Sequence, residues 1–289
     1  MGMFLSLTVN GLANGMVYAL MAMGLVLLIR SVGCLNMAQG DLLMTGAYIA
    51  FCFVYMWKMP EVLGVGLALI TYILVGILFM FCFYWPVRKS KWAQATMICT
   101  LGASIMLKDL VTLVFGTEVK IADPIIKGSL KIGQAVLKYQ YIIIIVVCLI
   151  VVFGVHLLYD KLYVGRIMQA ATQDRYYAEL QGIPVNLTIA ATYAMVMLIA
   201  AIDGYLVGPI YLINQSMGIV QTKAFAGAVI GGFGNLKGAI YGCLIVGLVE
   251  SYCTSFTTTY KDLVVYGLLI LTLIIRPMGF FGEKIQQKA

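Results

Sequence analysis

Ionisable residues inside apolar stretches are the residues of this 289-residue chain best suited to do chemistry. Asp41, Asp203 and Glu250 lie within or at the edge of long apolar runs, and Lys108 adjoins Asp109 in another. A charged side chain in the hydrocarbon core of a membrane is costly, so such residues are functional candidates by default. Asp203 is the best candidate for facing a cavity or pairing with another buried group. At Asp41 and Glu250 we expect solvated or snorkelling ends near the membrane interfaces.

Catalytic and metal sites are not predicted. The chain has one histidine, His156, and its neighbour Asp160 at i+4 predicts a structural pair near the membrane surface. A G-x-x-x-x-G-K-[ST] loop does not occur, so the chain does not bind a nucleotide through a P-loop. Without a convergent catalytic set, a membrane-embedded enzyme is disfavoured.

The composition is that of a membrane protein. Hydrophobic residues make up 62% and charged residues 11% of the chain, against about 45–50% and about 25% in soluble domains. The net charge of +7 is attributed to Lys and Arg kept in cytoplasmic loops rather than to nucleic-acid binding. The seven cysteines lie in or beside apolar runs without a C-x-x-C pair, which indicates small core residues.

Long apolar runs predict an all-α fold, a polytopic transmembrane helical bundle in a single domain over 1–289. Runs that are continuous rather than alternating favour helices over a barrel. We predict about eight full spans plus one Gly-rich broken or half-length helix. The runs cover 4–29, 38–57, 63–85, 94–115, 140–159, 187–208, 224–253 (interrupted) and 262–276.

The Gly-rich segment 224–242 predicts the broken helix. About 13 residues from 223 to 235 reach only about 20 Å, too little for a full crossing, so we expect a turn near Asn235 and a full span from about Lys237. Tight packing of unbroken helices is the alternative, because glycines recur at spacing four. A similar small-residue ridge, Gly11/Gly15/Ala19, lies in the first span. Candidate pathway residues in the break are Gly231, Gly232 and Gly234.

Basic residues in short loops predict the orientation. The segment 86–91, "PVRKSK", contains Arg88, Lys89 and Lys91 and is assigned to the cytoplasm. Alternation then puts the N-terminus outside, 117–139 outside and 160–186 inside. Four lysines in 117–139 run against this assignment.

The polar segment 160–186 predicts one or two short helices outside the lipid. Asp174 is a helix cap that accepts hydrogen bonds from the backbone N–H groups of 176 or 177. Gly182 followed by Pro184 ends the second helix. Such a segment either docks into a groove of another protein or lies in the membrane interface as an amphipathic helix, and the residues alone leave both open.

Several stretches resemble a known family. "LNMAQGD" (35–41) with "GAY" (46–48), "GRIMQAATQDRYYAELQGI" (165–183), "KAFAGAVIGGFGNLKGAIYGCLIVGLVE" (223–250) and "RPMGFFG" (276–282) occur in family order. Together they resemble the inner-membrane permease subunit of bacterial ABC importers for branched-chain amino acids. The resemblance covers nearly the whole chain.

The resemblance implies that 160–186 contains a coupling helix that rests in a cleft of an ATPase subunit. The wider importer motif reads Glu-Ala-Ala, three residues, then Gly, and aligning Gly182 puts Tyr176 where the glutamate belongs. The expected coupling residues are Arg166, Gln173, Asp174, Arg175, Glu179 and Gly182. The expected pathway residues, besides the three glycines, are Asn36, Gln39, Gly40, Asp41 and Asp203.

The resemblance also implies partners and a location. A second permease subunit would complete the pathway in the bacterial inner membrane, and two ATPase subunits would bind ATP and Mg²⁺, so no cofactor is expected in this chain. An extracytoplasmic binding protein would dock on the outer loops, 117–139 or 211–223. The alternatives are an ion-coupled secondary amino-acid transporter and an importer of the same class that carries urea or short amides.

Overall fold

The chain is predominantly α-helical in a computed structural model, which describes residues 2–90, 92, 94–132, 135–256 and 260–282. The helices are α1 (Gly2–Val32), α2 (Gln39–Phe51), α3 (Glu61–Phe79), α4 (Trp85–Val87), α5 (Ala95–Phe115), α6 (Tyr139–Asp160), α7 (Tyr163–Gln173), α8 (Arg175–Leu180), α9 (Val185–Tyr211), α10 (Val220–Gly231), α11 (Leu236–Phe256) and α12 (Lys261–Ile275). One π-helical turn, Cys52–Met56, extends α2, and another, Met80–Tyr84, joins α3 to α4. A 3₁₀ turn, Gln215–Ile219, precedes α10.

Six helices among the described residues are long and apolar enough to cross a membrane. They are Gly2–Val32, Glu61–Val87, Ala95–Phe115, Tyr139–Asp160, Val185–Tyr211 and Leu236–Phe256. The other two predicted runs are helical as well, as α2 with its π-helical turn and as α12. The transmembrane helical bundle is therefore confirmed, while the count of about eight spans stays a prediction.

Two compact units divide the chain. The first unit comprises residues 1–26, 124–152 and 220–289, and the second unit comprises 27–123 and 153–219. The division falls within α1 and α6, so each of these helices contributes to both units. The prediction of a single permease domain over 1–289 remains a prediction.

The predicted helix break lies in the first unit. Helix α10 ends at Gly231, α11 begins at Leu236, and Gly232 and Gly234 between them have φ of +118° and +94°. Positive φ is readily adopted only by glycine, which explains why the chain turns here. The predicted break near Asn235 is confirmed: α10 has only 12 residues, and the helix after the break is long and apolar enough to cross a membrane.

Close helix packing accompanies the break instead of replacing it. A Cβ atom at Gly231 would overlap the carbonyl oxygen of Gly238, and one at Gly242 would overlap that of Gly227. The two helices thus touch backbone to backbone, as small residues at spacing four permit. The ridge in α1 packs in the same way, because a Cβ at Gly15 would lie 3.0 Å from Leu244 Cα in α11.

A buried charge cluster joins four helices of the first unit. Lys223 Nζ lies 2.5 Å from Glu250 Oε1 and 2.9 Å from Asp262 Oδ1. The hydroxyl of Tyr18 donates a hydrogen bond to Glu250 Oε2 at 2.7 Å. Glu250 is only 4% exposed, so the expectation of a solvated end at this position is wrong. The carboxylate is buried because partners from other helices replace its water.

The second unit is built around α2, α3, α5 and α9. A Cβ at Gly46 in α2 would lie 3.0 Å from Ala201 Cα in α9, and one at Gly204 would overlap the carbonyl oxygen of Leu43. Buried side chains of α2 and α3 meet as well, since the hydroxyls of Thr45 and Tyr72 are 2.6 Å apart. This packing fixes where the polar residues at the start of α2 lie.

A small β-hairpin departs from the all-α prediction. Strand β1 (Ser129–Ile132) pairs antiparallel with β2 (Ala135–Lys138), and Leu130 lies opposite Leu137. The sequence "SLKI" alternates polar and apolar residues, which is the local signal for a strand. The hairpin lies within 117–139, the segment predicted to be external, and its side of the membrane stays a prediction.

Candidate coupling and translocation sites

The polar segment folds as two short helices in the second unit, as predicted. Asp174 caps α8, because its Oδ1 accepts hydrogen bonds from the backbone N–H groups of Tyr176 at 2.9 Å and Tyr177 at 3.1 Å. Gly182, with φ of +77°, ends the helix. The N–H of Gly182 bonds the Glu179 carbonyl and that of Ile183 bonds the Ala178 carbonyl, both at 3.0 Å. These two hydrogen bonds together form a Schellman motif.

The segment buries small residues and exposes large ones. Met168 and Ala171 of α7 and Ala178 of α8 are buried. The charged and amide members of the predicted coupling set are all exposed, namely Arg166, Gln173, Asp174, Arg175 and Glu179. Three large side chains of α8 are also exposed by about two thirds, namely Tyr176 (68%), Tyr177 (65%) and Leu180 (66%). Helix α8 therefore presents an aromatic and aliphatic surface framed by charges.

Arg175 differs from the rest of the predicted coupling set. Its Nη2 donates a hydrogen bond to the Val32 carbonyl at 3.0 Å and another to the Tyr84 hydroxyl at 2.7 Å. Val32 is the last residue of α1, and Tyr84 ends the π-helical turn after α3. Arg175 thus connects α8 directly to the end of α1 and to the π-helical turn after α3, and no local sequence pattern predicts contacts with elements that distant along the chain.

The basic loop after α3 lies at the same end of the second unit as the polar segment. Arg88 Nη1 donates a hydrogen bond to Asn186 Oδ1 at 2.8 Å, and its guanidinium lies 3.4 Å from the centre of the Trp85 ring. Lys91, which belongs to the predicted basic loop, lies outside the described residues. A shared end for 86–91 and 160–186 agrees with the assignment of both to one side of the membrane.

Residues 36–41 are the buried polar part of the second unit. Asn36 Oδ1 accepts a hydrogen bond from the Ala38 N–H at 3.0 Å, and Gly40 is buried beside it in the first turn of α2. Gln39 is 0% exposed, and neither polar atom of its amide has a hydrogen-bond partner among the described residues. Buried polar groups are rarely left unpaired, so Gln39 remains a candidate for the pathway.

Asp41 is also buried, so the expectation of a solvated end is wrong here too. It is 3% exposed, accepts a hydrogen bond from the Ser104 hydroxyl, and lies 3.6 Å from Lys108 Nζ through Oδ1. Ser104 and Lys108 belong to α5, where they share a helical face at spacing four. The partners lie more than sixty positions away along the chain, which is why no local pattern revealed them.

Asp203 lies in α9 with 0% exposure, and neither carboxylate oxygen has a hydrogen-bond partner among the described residues. The expected pairing with another buried group is therefore not observed within that part of the chain. A buried carboxyl group without a partner is costly. Asp203 keeps its place as a pathway candidate in the same unit as Gln39 and Asp41.

The glycine candidates are in the other unit, at the end of α10. The backbone N–H groups of Phe280 and Phe281 donate hydrogen bonds to the carbonyls of Ile230 and Gly231, both at 2.9 Å. Asn235 Nδ2 donates to the Phe281 carbonyl at 3.1 Å. The "RPMGFFG" segment thus satisfies carbonyls that the end of a helix leaves free. Gly232 and Gly234 lie in the turn that follows.

His156 forms the structural pair that the sequence predicts. Its Nδ1 lies 2.9 Å from Asp160 Oδ2, one helical turn further along α6. Among the described residues, no group of three or more His, Cys, Asp or Glu side chains has the arrangement of a metal site. The pair rests on closeness alone, because His156 Nδ1 has no hydrogen-bond partner among the described residues.

Together these features define a class: a multi-pass helical membrane protein with a half-length helix and a capped polar segment outside the spans. The family described as branched-chain amino acid transport system, permease component, matches residues 7–273. The chain belongs to this family and is a multi-pass inner-membrane protein. Its relatives are transport permeases rather than enzymes.

Relatives match over nearly their full length. The permease protein BraD of the high-affinity branched-chain amino acid transport system of Pseudomonas aeruginosa is 32% identical, over 97% of this chain and 96% of BraD. LivH of Escherichia coli K12, from the system of the same name, is also 32% identical with the same coverage. A probable LivH of Methanocaldococcus jannaschii is 24% identical over 91% of this chain and 88% of its own.

A solved structure supports the fold. PsaBC from Streptococcus pneumoniae in complex with a Fab aligns with a TM-score of 0.50, covering 94% of this chain and 92% of the matched chain. The sequence identity is 13%, so the likeness concerns the fold alone.

Proposed function

We propose that this chain is the permease subunit of an ATP-driven importer of branched-chain amino acids. With a second permease subunit it forms the path across the membrane. Two ATPase subunits bind ATP and Mg²⁺ and supply the energy, and an extracytoplasmic binding protein delivers the substrate. Family membership over residues 7–273 supports an importer of this class above an ion-coupled secondary transporter.

Helix α8 is the observation on which the proposal rests most directly. It is capped at both ends and exposes Tyr176, Tyr177 and Leu180 outside the apolar spans. Tyrosines are frequent energetic centres of protein interfaces because a rigid ring gains much contact area at a low entropic cost. We assign these three side chains to the groove of an ATPase subunit, with Arg166, Gln173 and Glu179 at its edge.

Substrate choice follows from the relatives, whose systems are named for branched-chain amino acids. The external binding protein selects the substrate in this arrangement. If the system takes up urea or short amides instead of leucine, isoleucine and valine, the chain is still a permease of this importer class, with a different substrate.

Co-purification is the experiment that tests the proposal. The chain is extracted from its native membrane in mild detergent, and the proteins that accompany it are identified by mass spectrometry. We expect a P-loop ATPase and a second permease. A chain that purifies alone and still moves an amino acid in liposomes under an ion gradient would establish the secondary transporter instead.

Arg175 and Arg166 should behave differently when altered. Arg175→Gln removes two hydrogen bonds, one to the end of α1 and one to the π-helical turn after α3, each worth about 1.5–3 kcal/mol for a charged donor. We expect amino-acid uptake to fall about tenfold or more, while the ATPase subunits still co-purify. Arg166→Glu, at an exposed position that bears on the partner, should lower the recovery of ATPase subunits.

Tyr84→Phe is the matched control for Arg175. It removes only the hydroxyl acceptor of the 2.7 Å bond and keeps the ring, so uptake should fall less than in Arg175→Gln. If Arg175→Gln loses the ATPase subunits as Arg166→Glu does, Arg175 contacts the partner and the connection between helices is not its role.

A further inference from the structure

A basic pocket lies in the second unit, at the end that carries the polar segment. Four charged side chains line it, namely Arg88, Lys89, Arg175 and Glu179. Residues at the start of α9 complete its wall, and it contains about 550 Å³ of open space. Because three cations face one carboxylate, the pocket favours an anionic ligand.

The two arginines of the pocket keep N–H groups for such a ligand. Arg88 uses Nη1 for its hydrogen bond to Asn186, and Arg175 uses Nη2 for both of its bonds. A guanidinium group has five N–H donors, so each arginine has others left. Because the existing bonds already hold both side chains in place, binding of an anion costs little side-chain entropy.

Lys89 is the third cation of the pocket. It is exposed, and its ammonium group forms no ion pair or hydrogen bond among the described residues. A lysine without a partner in the protein has all three donors available for a ligand.

The N-terminus of α9 adds to the positive potential of these cations. The helix begins at Val185 after Pro184, and no side chain caps it. The first N–H groups of a helix have no partner within the helix, and the helix dipole places partial positive charge there. Phosphate groups bind at helix ends of this kind. The pocket therefore combines three cations with a helix end that suits a phosphate.

The pocket lies where two apolar spans end, which is the level of lipid headgroups. Arg88 directly follows the span Glu61–Val87, and Val185 begins the span Val185–Tyr211. The Arg88 guanidinium lies 3.4 Å from the centre of the Trp85 ring. Tryptophan is enriched at the boundary between membrane and water, so its position agrees with this level.

An exposed apolar surface leads from the pocket along the spans. The Trp85 and Phe81 rings are in contact, with centroids 5.5 Å apart. Phe81 and Leu78 on one span and Leu187 on the other are all exposed. A soluble anion would use only the cations, whereas a phospholipid uses the cations for its headgroup and the apolar surface for its acyl chains.

We propose that this basic pocket binds the headgroup of an anionic phospholipid. Arg88, Lys89 and Arg175 hold the phosphate near the start of α9, and the acyl chains lie along Phe81 and Leu78. Anionic lipids give the cytoplasmic leaflet its negative surface potential, which agrees with the side predicted for 86–91 and 160–186. The site depends on the membrane location of the chain and not on the substrate that it transports.

Photo-crosslinking in nanodiscs tests the site. The protein, with the subunits that accompany it from its membrane, is reconstituted in phosphatidylcholine with a trace of phosphatidylglycerol that bears a diazirine at the start of one acyl chain. After illumination the labelled peptides are mapped by mass spectrometry. A phosphatidylcholine with the same diazirine is the zwitterionic comparison.

Lys89→Gln and Glu179→Gln are the variants, and Lys161→Gln is the matched control. Lys161 is also exposed and lies in the same polar segment as α8, but it does not line the pocket. Lys161→Gln therefore removes the same charge from the same end of the unit without altering the pocket.

The expected changes have opposite signs. The phosphatidylglycerol probe labels 78–90 and 185–189 more strongly than the phosphatidylcholine probe does. Lys89→Gln lowers this labelling about fivefold, since one cation near a membrane surface is worth about that factor. Glu179→Gln raises the labelling, because it removes the carboxylate that repels the headgroup, and Lys161→Gln leaves the labelling unchanged. A merely structural role of Lys89 and Glu179 would not produce changes in both directions.

Other results would overturn the inference in distinguishable ways. Equal labelling by the two probes, or equal losses in Lys89→Gln and Lys161→Gln, would mean that the pocket does not select an anionic lipid. Displacement of the probe by inorganic phosphate at constant ionic strength would show a site for a soluble anion. Labelling that occurs only after accompanying subunits have been removed would show that another protein covers the pocket.

Discussion

A single methyl group at position 231 is expected to abolish uptake by the assembled transporter. Gly231→Ala places a Cβ atom on the carbonyl oxygen of Gly238, where there is no room for it. The obstacle is backbone on both sides, which cannot move aside as a flexible side chain does. Overpacking of this kind costs typically about 1–3 kcal/mol and more when backbone must shift. Helices α10 and α11 would have to move apart, and the turn at Gly232 and Gly234 that joins them would change its conformation.

Uptake and membrane content are measured together for this variant. Alanine is no more polar than glycine, so Gly231→Ala should reach the membrane in native amounts and fail only in transport. Gly267→Ala in α12 is the matched control, because a Cβ at Gly267 meets nothing within 4 Å. Native uptake by Gly231→Ala would mean that α10 and α11 do not touch as closely as the structure has them.

Loss of Lys223 is expected to give the largest fall in stability. Lys223→Met leaves Glu250, which is 4% exposed, without its closest cation, 2.5 Å away. Breaking a buried pair by removing one partner costs about 3–5 kcal/mol, since an uncompensated charge remains. Thermal unfolding of the purified protein in detergent should shift down by about 10 °C. The second cation, Lys261, lies 3.7 Å from Glu250 and is too distant to compensate fully.

The double variant Lys223→Met/Glu250→Gln distinguishes the contribution of the unpaired charge to the loss of stability from the contribution of altered packing. Removing both charges should recover a large part of the loss, because no unpaired carboxylate then remains at Glu250. Lys120→Met is the control, since its partner Glu118 is 88% exposed and such pairs contribute about 0–1 kcal/mol. A shift in Lys223→Met no larger than in Lys120→Met would mean that the cluster is hydrated and does not support the fold.

Features with a local cause could be predicted from the sequence. The break after α10 follows from glycines crowded into a segment too short to span, and the ends of α8 follow from Asp174 and Gly182. Both depend on residues within a few positions of each other, so one sequence carries the signal. The family resemblance followed from motifs that were also local.

Contacts between distant residues could not be predicted. Glu250 meets Tyr18 across 232 positions, and Asp41 meets Ser104 across 63. Nothing in the residues around either carboxylate reveals a partner that far away, so both were expected to be solvated. The hydrogen bonds of Arg175 could not be predicted for the same reason, since its acceptors are on α1 and after α3. Gln39 and Asp203 were predicted as candidates, but only the structure reveals how completely they are buried.

The hairpin was missed for a different reason. Strands of four residues carry little pattern, and the lysines of 117–139 predict a charged external loop rather than strands. The number of membrane spans depends on α12, which has 15 residues and covers only about 22 Å. Whether such a helix crosses depends on the thickness of the bilayer around it.

The hydrogen bonds from Phe280 and Phe281 to Ile230 and Gly231 mean that α10 is synthesised before the residues that complete its C-terminal end. The carbonyls that end α10 receive their donors from residues roughly fifty positions further along the chain. At about 5–20 residues per second, the ribosome supplies those donors several seconds after α10 has been made. Until then the last carbonyls of α10 lack these donors, and a nascent chain halted before residue 280 would leave them without those hydrogen bonds.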